Sequence, residues 1–257
     1  MTTPRVTLAS RLRSGETIVT AWSSLAVPIL GELMARAGYK AVALDMQHGM
    51  HDVASVREGI LSVVAGGGHP MVRPPVDEFA TASRALDLGA EAVIMPMVNS
   101  VDDALALVAA TKYPPMGARS WGPHRAATLA GLQPPAYFSS ANADTLAFAM
   151  IETPAALEAL DDILALDGID GVFVGPADLS LTLNNGTAVD PKGEACLEAC
   201  ADIARRARAA GRLAGLFCID ADHARAGMAM GYPLLALGID VGLVTAGAME
   251  MLKSIGE

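Results

Sequence analysis

The chain has 257 residues, 52% of them hydrophobic, 18% charged and only 4% aromatic, with a formal net charge of −10. That length suits one α/β barrel, which occupies about 250 residues as a single unit, and the aliphatic composition suits buried parallel strands under a helical shell. The negative charge, with no run of Lys or Arg, argues against nucleic acid and anionic lipid as partners, and no stretch reaches the roughly 18 apolar residues of a membrane span.

The N-terminal MTTPRVTLASRLRSGE lacks the apolar core of a signal peptide, so the cytoplasm is the expected compartment. From there short aliphatic runs alternate with longer amphipathic stretches, the pattern of parallel βαβ units. Strands are predicted at ETIVTAW (16–22), YKAVALD (39–45), HPMVRP (69–74), EAVIMPMV (91–98), TLAFAMIE (145–152), GVFVG (171–175), LAGLFCI (213–219) and PLLALGI (233–239). Most of the intervening helical segments end in Gly, the usual C-terminal stop. Several open on N-terminal signals: Ser100 before two aspartates, Thr153-Pro154, and Asp220. Eight strands in unbroken alternation predict a single (β/α)8 TIM barrel spanning residues 1–257, with no linker. One long stretch, Tyr113 to about Asn142, is rich in Pro, Gly and Ser and reads as an irregular loop. Cys196, Cys200 and Cys218 lack ligand spacing and read as reduced structural thiols.

In such a barrel the chemistry lies at the C-terminal ends of the strands. Strand 2 ends in Asp45-Met46-Gln47-His48-Gly49, strand 3 in Arg73, strand 5 in Glu152 and strand 6 in Gly175-Pro176-Ala177-Asp178. Glu152 and Asp178 suit Mg²⁺ or Mn²⁺, which prefer oxygen donors; on spacing alone they read equally well as acids at helix starts. His48 is of the residue type that serves acid/base work at neutral pH, though a surface loop is the plainer reading. His51, His69, His124 and His223 read as surface or loop histidines. A Schiff-base mechanism needs a lysine in the pocket. Lys40, Lys112, Lys192 and Lys253 all fall away from the strands' C-terminal ends. The loops after strands 7 and 8 carry Asp220, Asp222 and Asp240, which disfavours a phosphorylated substrate.

Taken together, ALDMQHG (43–49), VRPP (72–75), IMPMV (94–98), YPPMGAR (113–119), IET (151–153) and GVFVGPADLS (171–180) resemble the HpcH/HpaI aldolase family, over roughly residues 5 to 255. The resemblance implies a barrel of the phosphoenolpyruvate/pyruvate type, assembled as a homohexamer that exchanges its last helix. It implies a class II pyruvate aldolase without organic cofactor, which cleaves 4-hydroxy-2-oxoacids to pyruvate and an aldehyde through a metal-stabilised enolate. Glu152 and Asp178 would then hold Mg²⁺, Mn²⁺ or Co²⁺. The backbone of Gly175, Ala177 and Asp178 would receive the pyruvate carboxylate, and Arg73 would face the keto oxygen. His48 would be the acid/base, oriented by Asp87. Gln47 stands where members carry Glu, and Met150 where they carry Gln. Trp22, Phe217 and Trp121 would wall the aldehyde pocket, Trp121 from a neighbouring subunit. Two other readings are a CoA-thioester lyase of the citramalyl-CoA or malyl-CoA type, which needs a basic surface for the CoA phosphates, and a non-catalytic metabolite-binding relative.

Overall fold

The computed structural model describes residues 6–256. Eight strands appear where eight are expected: β1 (Ile18–Ser23), β2 (Ala41–Asp45), β3 (His69–Arg73), β4 (Ala92–Met95), β5 (Leu146–Ile151), β6 (Gly171–Val174), β7 (Leu213–Cys218) and β8 (Leu234–Ile239). All pair in parallel and in chain order, and β8 closes on β1 to complete the barrel. β4 is shorter than predicted because Pro96 has no N–H for the ladder and Met97 takes a left-handed backbone, φ 54°.

The two faces of each strand are sorted by period two. Ala41, Ala43, Met71, Ile94, Phe148 and Phe173 fill the barrel interior. Val42, Leu44, Val72, Val93, Ala147 and Val172, one residue out of phase, pack under the helices. The helices are α1 (Leu8–Arg13), α2 (Ile29–Ala37), α3 (Val53–Ala65), α4 (Phe79–Leu88), α5 (Val101–Thr111), α6 (His124–Ala130), α7 (Pro134–Asp144), α8 (Pro154–Glu158), α9 (Leu160–Ala165), α10 (Pro176–Leu183), α11 (Glu194–Ala209), α12 (Ala221–Met230) and α13 (Asp240–Ser254). Ser100, Thr153 and Asp220 cap α5, α8 and α12 with their side chains, as their sequence context predicts.

At the lower end α1 plugs the barrel with Leu8, Ala9 and Leu12. Glu91 pins it there, accepting from the Leu8 amide at 2.7 Å and lying 2.9 Å from His69 Nδ1. His69 is therefore a buried structural residue, as are His51 and His223; of the four histidines read as surface or loop residues only His124 is exposed. The three cysteines are buried free thiols.

The stretch from Tyr113 to Asn142 is not one irregular loop. It contains α6 and most of α7, and the Gly and Pro residues that suggested a loop are helix punctuation. Gly131 ends α6 in the left-handed conformation, and Pro134 and Pro135 occupy the first turn of α7, where no N–H is needed. Among the described residues no helix is long and apolar enough to cross a membrane.

Candidate active site

The inward phase of the strands carries past their C-terminal ends and delivers the polar side chains. Asp45 continues Ala41 and Ala43, Arg73 continues Met71, Glu152 continues Phe148 and Met150, and Gly175 continues Phe173. Trp22 and Phe217 close the other side from β1 and β7. The result is a cavity of about 360 Å³ lined by Trp22, Ser24, Asp45, His48, Arg73, Met150, Glu152, Gly175, Pro176, Ala177, Asp178, Phe217 and Ile239. A cavity of the same volume at the lower end, between Gly89–Glu91 and α6–α7, has no comparable convergence of strand-end polar groups.

Arg73 is held rigidly. Its Nε and Nη2 donate to Asp45 Oδ1 and Oδ2 at 2.8 and 2.7 Å, and its guanidinium lies 5.0 Å from the Trp22 ring centroid. Trp22 is in turn braced by Phe173 and Phe217, with centroids at 5.9 and 5.3 Å. Burial by itself would raise the Asp45 carboxyl, but hydrogen bonding to Arg73 and its charge outweigh that and hold it below the ordinary carboxylate value. Asp45 uses Nε and Nη2, which leaves Nη1 outside the pair.

Glu152 is buried, and desolvation, reinforced by the nearby Asp178 charge, pushes its carboxyl up to about 7. Its Oε2 accepts from the Met97 amide at 2.9 Å. The left-handed backbone at Met97 is rare for a non-glycine residue and is stored at the point that aims this donor. Oε1 faces Gly175, where any β-carbon would overlap it. The glycine is thus required by the close approach of a carboxylate.

Two neighbouring carboxylates, Glu152 buried in a glycine cradle and Asp178 close enough for its charge to be felt there, form a donor set suited to a hard divalent cation. Two protein oxygens, with substrate oxygens and water completing the shell, fit Mg²⁺ or Mn²⁺ better than a metal that demands a closed protein cage. Among the described residues no cluster of three or more His, Cys, Asp and Glu side chains forms such a cage. The first intrahelical bond of α10 runs from the Leu179 amide to Gly175, so the amides of Ala177 and Asp178 stand outside the helix's own ladder at the cavity wall.

Eight expected residues thus meet at one mouth: Trp22, His48, Arg73, Glu152, Gly175, Ala177, Asp178 and Phe217. Three do not. Gln47 lies outside the lining, and its amide donates to Asp45 Oδ1 at 3.0 Å. Asp87 sits in the last turn of α4, which runs from the mouth to the lower end of the barrel, so it cannot orient His48 of its own chain. It accepts from Arg119 Nη2 at 2.7 Å instead, and the exposed His48 has no side-chain hydrogen bond among the described residues. Trp121 also lies at the lower end, in an aromatic cluster with Tyr113, Tyr137 and Phe138. No lysine lines the mouth. Lys112 is buried under the barrel on Asn142 O, Thr145 O and Asp170, and Lys192 pairs with Asp220 at 2.6 Å on the rim. Sequence reasoning assigned no role to Asp45, although its place beside Arg73 in the register of neighbouring strands was a usable signal. It also passed over Ser24 and the Met97 amide, neither of which has a side-chain signature.

The sequence matches the family described as HpcH/HpaI aldolase/citrate lyase across residues 19–246. It is 36% identical over 238 residues to a hydroxypyruvate/pyruvate aldolase of Rhizorhabdus wittichii, covering 93% of this chain and 94% of that one. It is 34% identical over 248 residues to a 2-keto-3-deoxy-L-rhamnonate aldolase of Salmonella dublin, with 95% and 92% covered. An HpcH/HpaI aldolase/citrate lyase family protein from Burkholderia cenocepacia superposes with a TM-score of 0.88 at 30% identity, over 97% of this chain and 99% of that one. Matches of this extent, on the same eight-stranded barrel, make the chain a member of the HpcH/HpaI aldolase/citrate lyase family.

Proposed function

We propose that the chain is a divalent-cation-dependent pyruvate aldolase, reversibly cleaving 4-hydroxy-2-oxoacids to pyruvate and an aldehyde. The observation that carries this reading is the convergence of Glu152 and Asp178 with the Asp45-braced Arg73 in one cavity that no lysine lines. The aldolase names of its relatives support the same reaction class, and the first of them adds hydroxypyruvate as a candidate nucleophile beside pyruvate.

A divalent cation on Glu152 and Asp178 would supply Lewis-acid polarisation of the keto group. The protein supplies the rest. The amides of Ala177 and Asp178 receive the pyruvate carboxylate at the start of α10. Arg73 presents Nη1 to the keto oxygen, where negative charge grows as the C–C bond breaks; donors fixed in advance stabilise such charge without reorganising. The exposed His48 imidazole handles the proton of the 4-hydroxyl group. Trp22, Met150 and Phe217 form an apolar wall toward the aldehyde, and such walls discriminate weakly, by about 1–3 kcal/mol per methylene.

The working unit is a homo-oligomer, a hexamer by family resemblance. α13 exposes Val241, Val244, Met249, Met251 and Leu252, more apolar surface than one helix of a monomer normally leaves to solvent. Asp87 and Trp121 share the lower face: a β-carbon on Gly122 would lie 3.6 Å from Asp87 Oδ2. Both residues therefore reach an active site only from a neighbouring copy.

The test is pyruvate release from a panel of 4-hydroxy-2-oxoacids. Exhaustive chelation should abolish it, and Mg²⁺, Mn²⁺ or Co²⁺ should restore it. Full activity after chelation, or a borohydride-reduced pyruvate adduct on a lysine, refutes the assignment.

A further inference from the structure

Asp240, the first residue of α13, is 2% exposed, and among the described residues none of its hydrogen-bond donors is Lys or Arg. Five neutral donors hold its carboxylate instead. Oδ2 accepts from Ser23 Oγ at 3.1 Å and from the amides of Ser24 and Leu25, each at 2.9 Å. Oδ1 accepts from Ser24 Oγ and from the Val241 amide, each at 2.8 Å. Four of the five donors belong to Ser23–Leu25, the segment that leaves β1 and carries Ser24 into the cavity wall. Of all α13, Asp240 alone is buried.

The same clamp reaches the loop that bears His48. The Ser24 carbonyl accepts from the Met50 amide at 2.7 Å. A β-carbon on Gly49 would overlap the Asp45 carbonyl and lie 3.0 Å from Ser24 Cα, so the two loops are pressed together without room for slack. On the far side of that loop the buried His51 sets Nε2 3.0 Å from Ser23 Oγ and Nδ1 3.3 Å from Ser55 Oγ on α3. Ser23 has one hydroxyl proton, and the Asp240 carboxylate, which can only accept, is the partner that requires it. With that proton directed to Asp240, a neutral His51 donates from Nε2 to Ser23, while its Nδ1 faces a Ser55 hydroxyl that also reaches Asp52 Oδ1 at 2.9 Å. Burial pushes the His51 pKa down, in keeping with a neutral ring.

A Ser, a His and an Asp in contact suggest a hydrolytic triad, but the connectivity is wrong. In a triad the carboxylate holds the second ring nitrogen. Here that nitrogen faces Ser55, the carboxylate sits on the serine, and Ser23 is 1% exposed. What the network can do is hold position. We propose that Asp240, acting through Ser23, His51 and the Ser24–Met50 bond, is a positioning residue that fixes the Ser24 and His48 loops over the cavity and ties them to α13. The proposal rests on the aldolase reading for its kinetic consequence. A misplacement of about 1 Å in such a loop costs on the order of 10²-fold in rate.

The experiment compares Asp240→Asn, Ser23→Ala, His51→Leu and His51→Gln with the unaltered enzyme. Three readouts are followed: kcat and KM for aldol cleavage, Mn²⁺ affinity, and amide hydrogen exchange across residues 46–52. Asn at 240 turns donors toward donors, and its kcat should fall roughly 10- to 100-fold while KM and Mn²⁺ affinity stay near wild type. Ser23→Ala and His51→Leu should move in the same direction, with faster exchange at 48–50. His51→Gln, which keeps a donor for Ser23, should recover most of the activity. If Asp240→Asn does not fold, the other three decide. Unchanged kcat and unchanged exchange in Ser23→Ala and His51→Leu overturn the proposal, as does a His51→Gln variant no better than His51→Leu. A wild-type protein without turnover overturns the aldolase reading alone, because the exchange measurement still tests the clamp.

Discussion

Arg73 and Asp45 meet across adjacent strands as two planar forks, with Nε and Nη2 of the one on Oδ1 and Oδ2 of the other at 2.8 and 2.7 Å. The pair is buried, so the arginine arrives at the mouth already oriented. Asp45→Asn keeps the shape but sets an amide NH₂ against a guanidinium N–H. The expected result is a drop in kcat of roughly 10²-fold with Mn²⁺ binding retained, comparable to losing one preorganised donor. Breaking a buried pair also costs about 3–5 kcal/mol of stability, so Tm should fall. Arg73→Lys should recover little, because a point ammonium cannot serve both Asp45 oxygens and the substrate. Wild-type turnover in Asp45→Asn would show that Arg73 needs no orientation from it.

Gly175→Ala probes the cation site through backbone geometry. The added methyl would occupy the place of Glu152 Oε1, and a buried carboxylate already fixed by the Met97 amide cannot give way freely. Mn²⁺ affinity should fall at least about tenfold while the barrel still folds, in line with the effect of losing a ligand's supporting contacts. Unchanged Mn²⁺ affinity by calorimetry would remove Glu152 from the metal site.

Much of this is legible in the sequence, for a physical reason. A period-two strand fixes which residue faces inward, so the last inward position of β2, β3 and β5 could be named as Asp45, Arg73 and Glu152. Caps such as Ser100 and Thr153 set helix starts independently. What could not be read was tertiary. The choice of Arg119 as the partner of Asp87 depends on where α4 and the segment after α5 end in space. The burial of His51 and Asp240 depends on two loops and a helix start meeting. Backbone amides such as that of Met97 carry no residue-type signal at all.

The Glu152 carboxyl, raised to about 7 by burial and the Asp178 charge, makes metal-free stability depend on pH. A carboxyl with a raised folded-state pKa contributes stability that is fully present below its unfolded value, the ordinary 4.5, and is lost as pH rises through about 7. Metal-free protein should therefore lose Tm between pH 5 and pH 8 from this group, and Glu152→Gln should flatten that slope. Asp45 acts in the opposite sense: its depressed pKa gives stability that is present above the ordinary carboxylate range and is lost as pH falls through its lowered value. A metal-free melting profile that is the same for wild type and Glu152→Gln would mean that Glu152 is not strained by its burial.

The last prediction concerns Asp87 and His48, which lie at opposite ends of one barrel. For Asp87 to serve a His48, the two must come from different copies, and that makes the two roles separable. Asp87→Asn is the cleaner variant, because its carbonyl oxygen still accepts from Arg119 and the buried guanidinium keeps its bond. His48→Ala removes the acid/base and leaves the lower face intact. Each variant alone should lose most of its aldol cleavage while binding Mn²⁺ normally. Mixed after mild dissociation and reassembled, the two should recover activity, because a site built from the His48 of one chain and the Asp87 of the other is intact. With random assembly across a contact that brings different faces together, roughly one quarter of the sites are of this kind. Recovery toward that fraction, with none in a mixture kept from exchanging subunits, is the expected outcome. No recovery after proven exchange would confine Asp87 to holding Arg119 at the lower face.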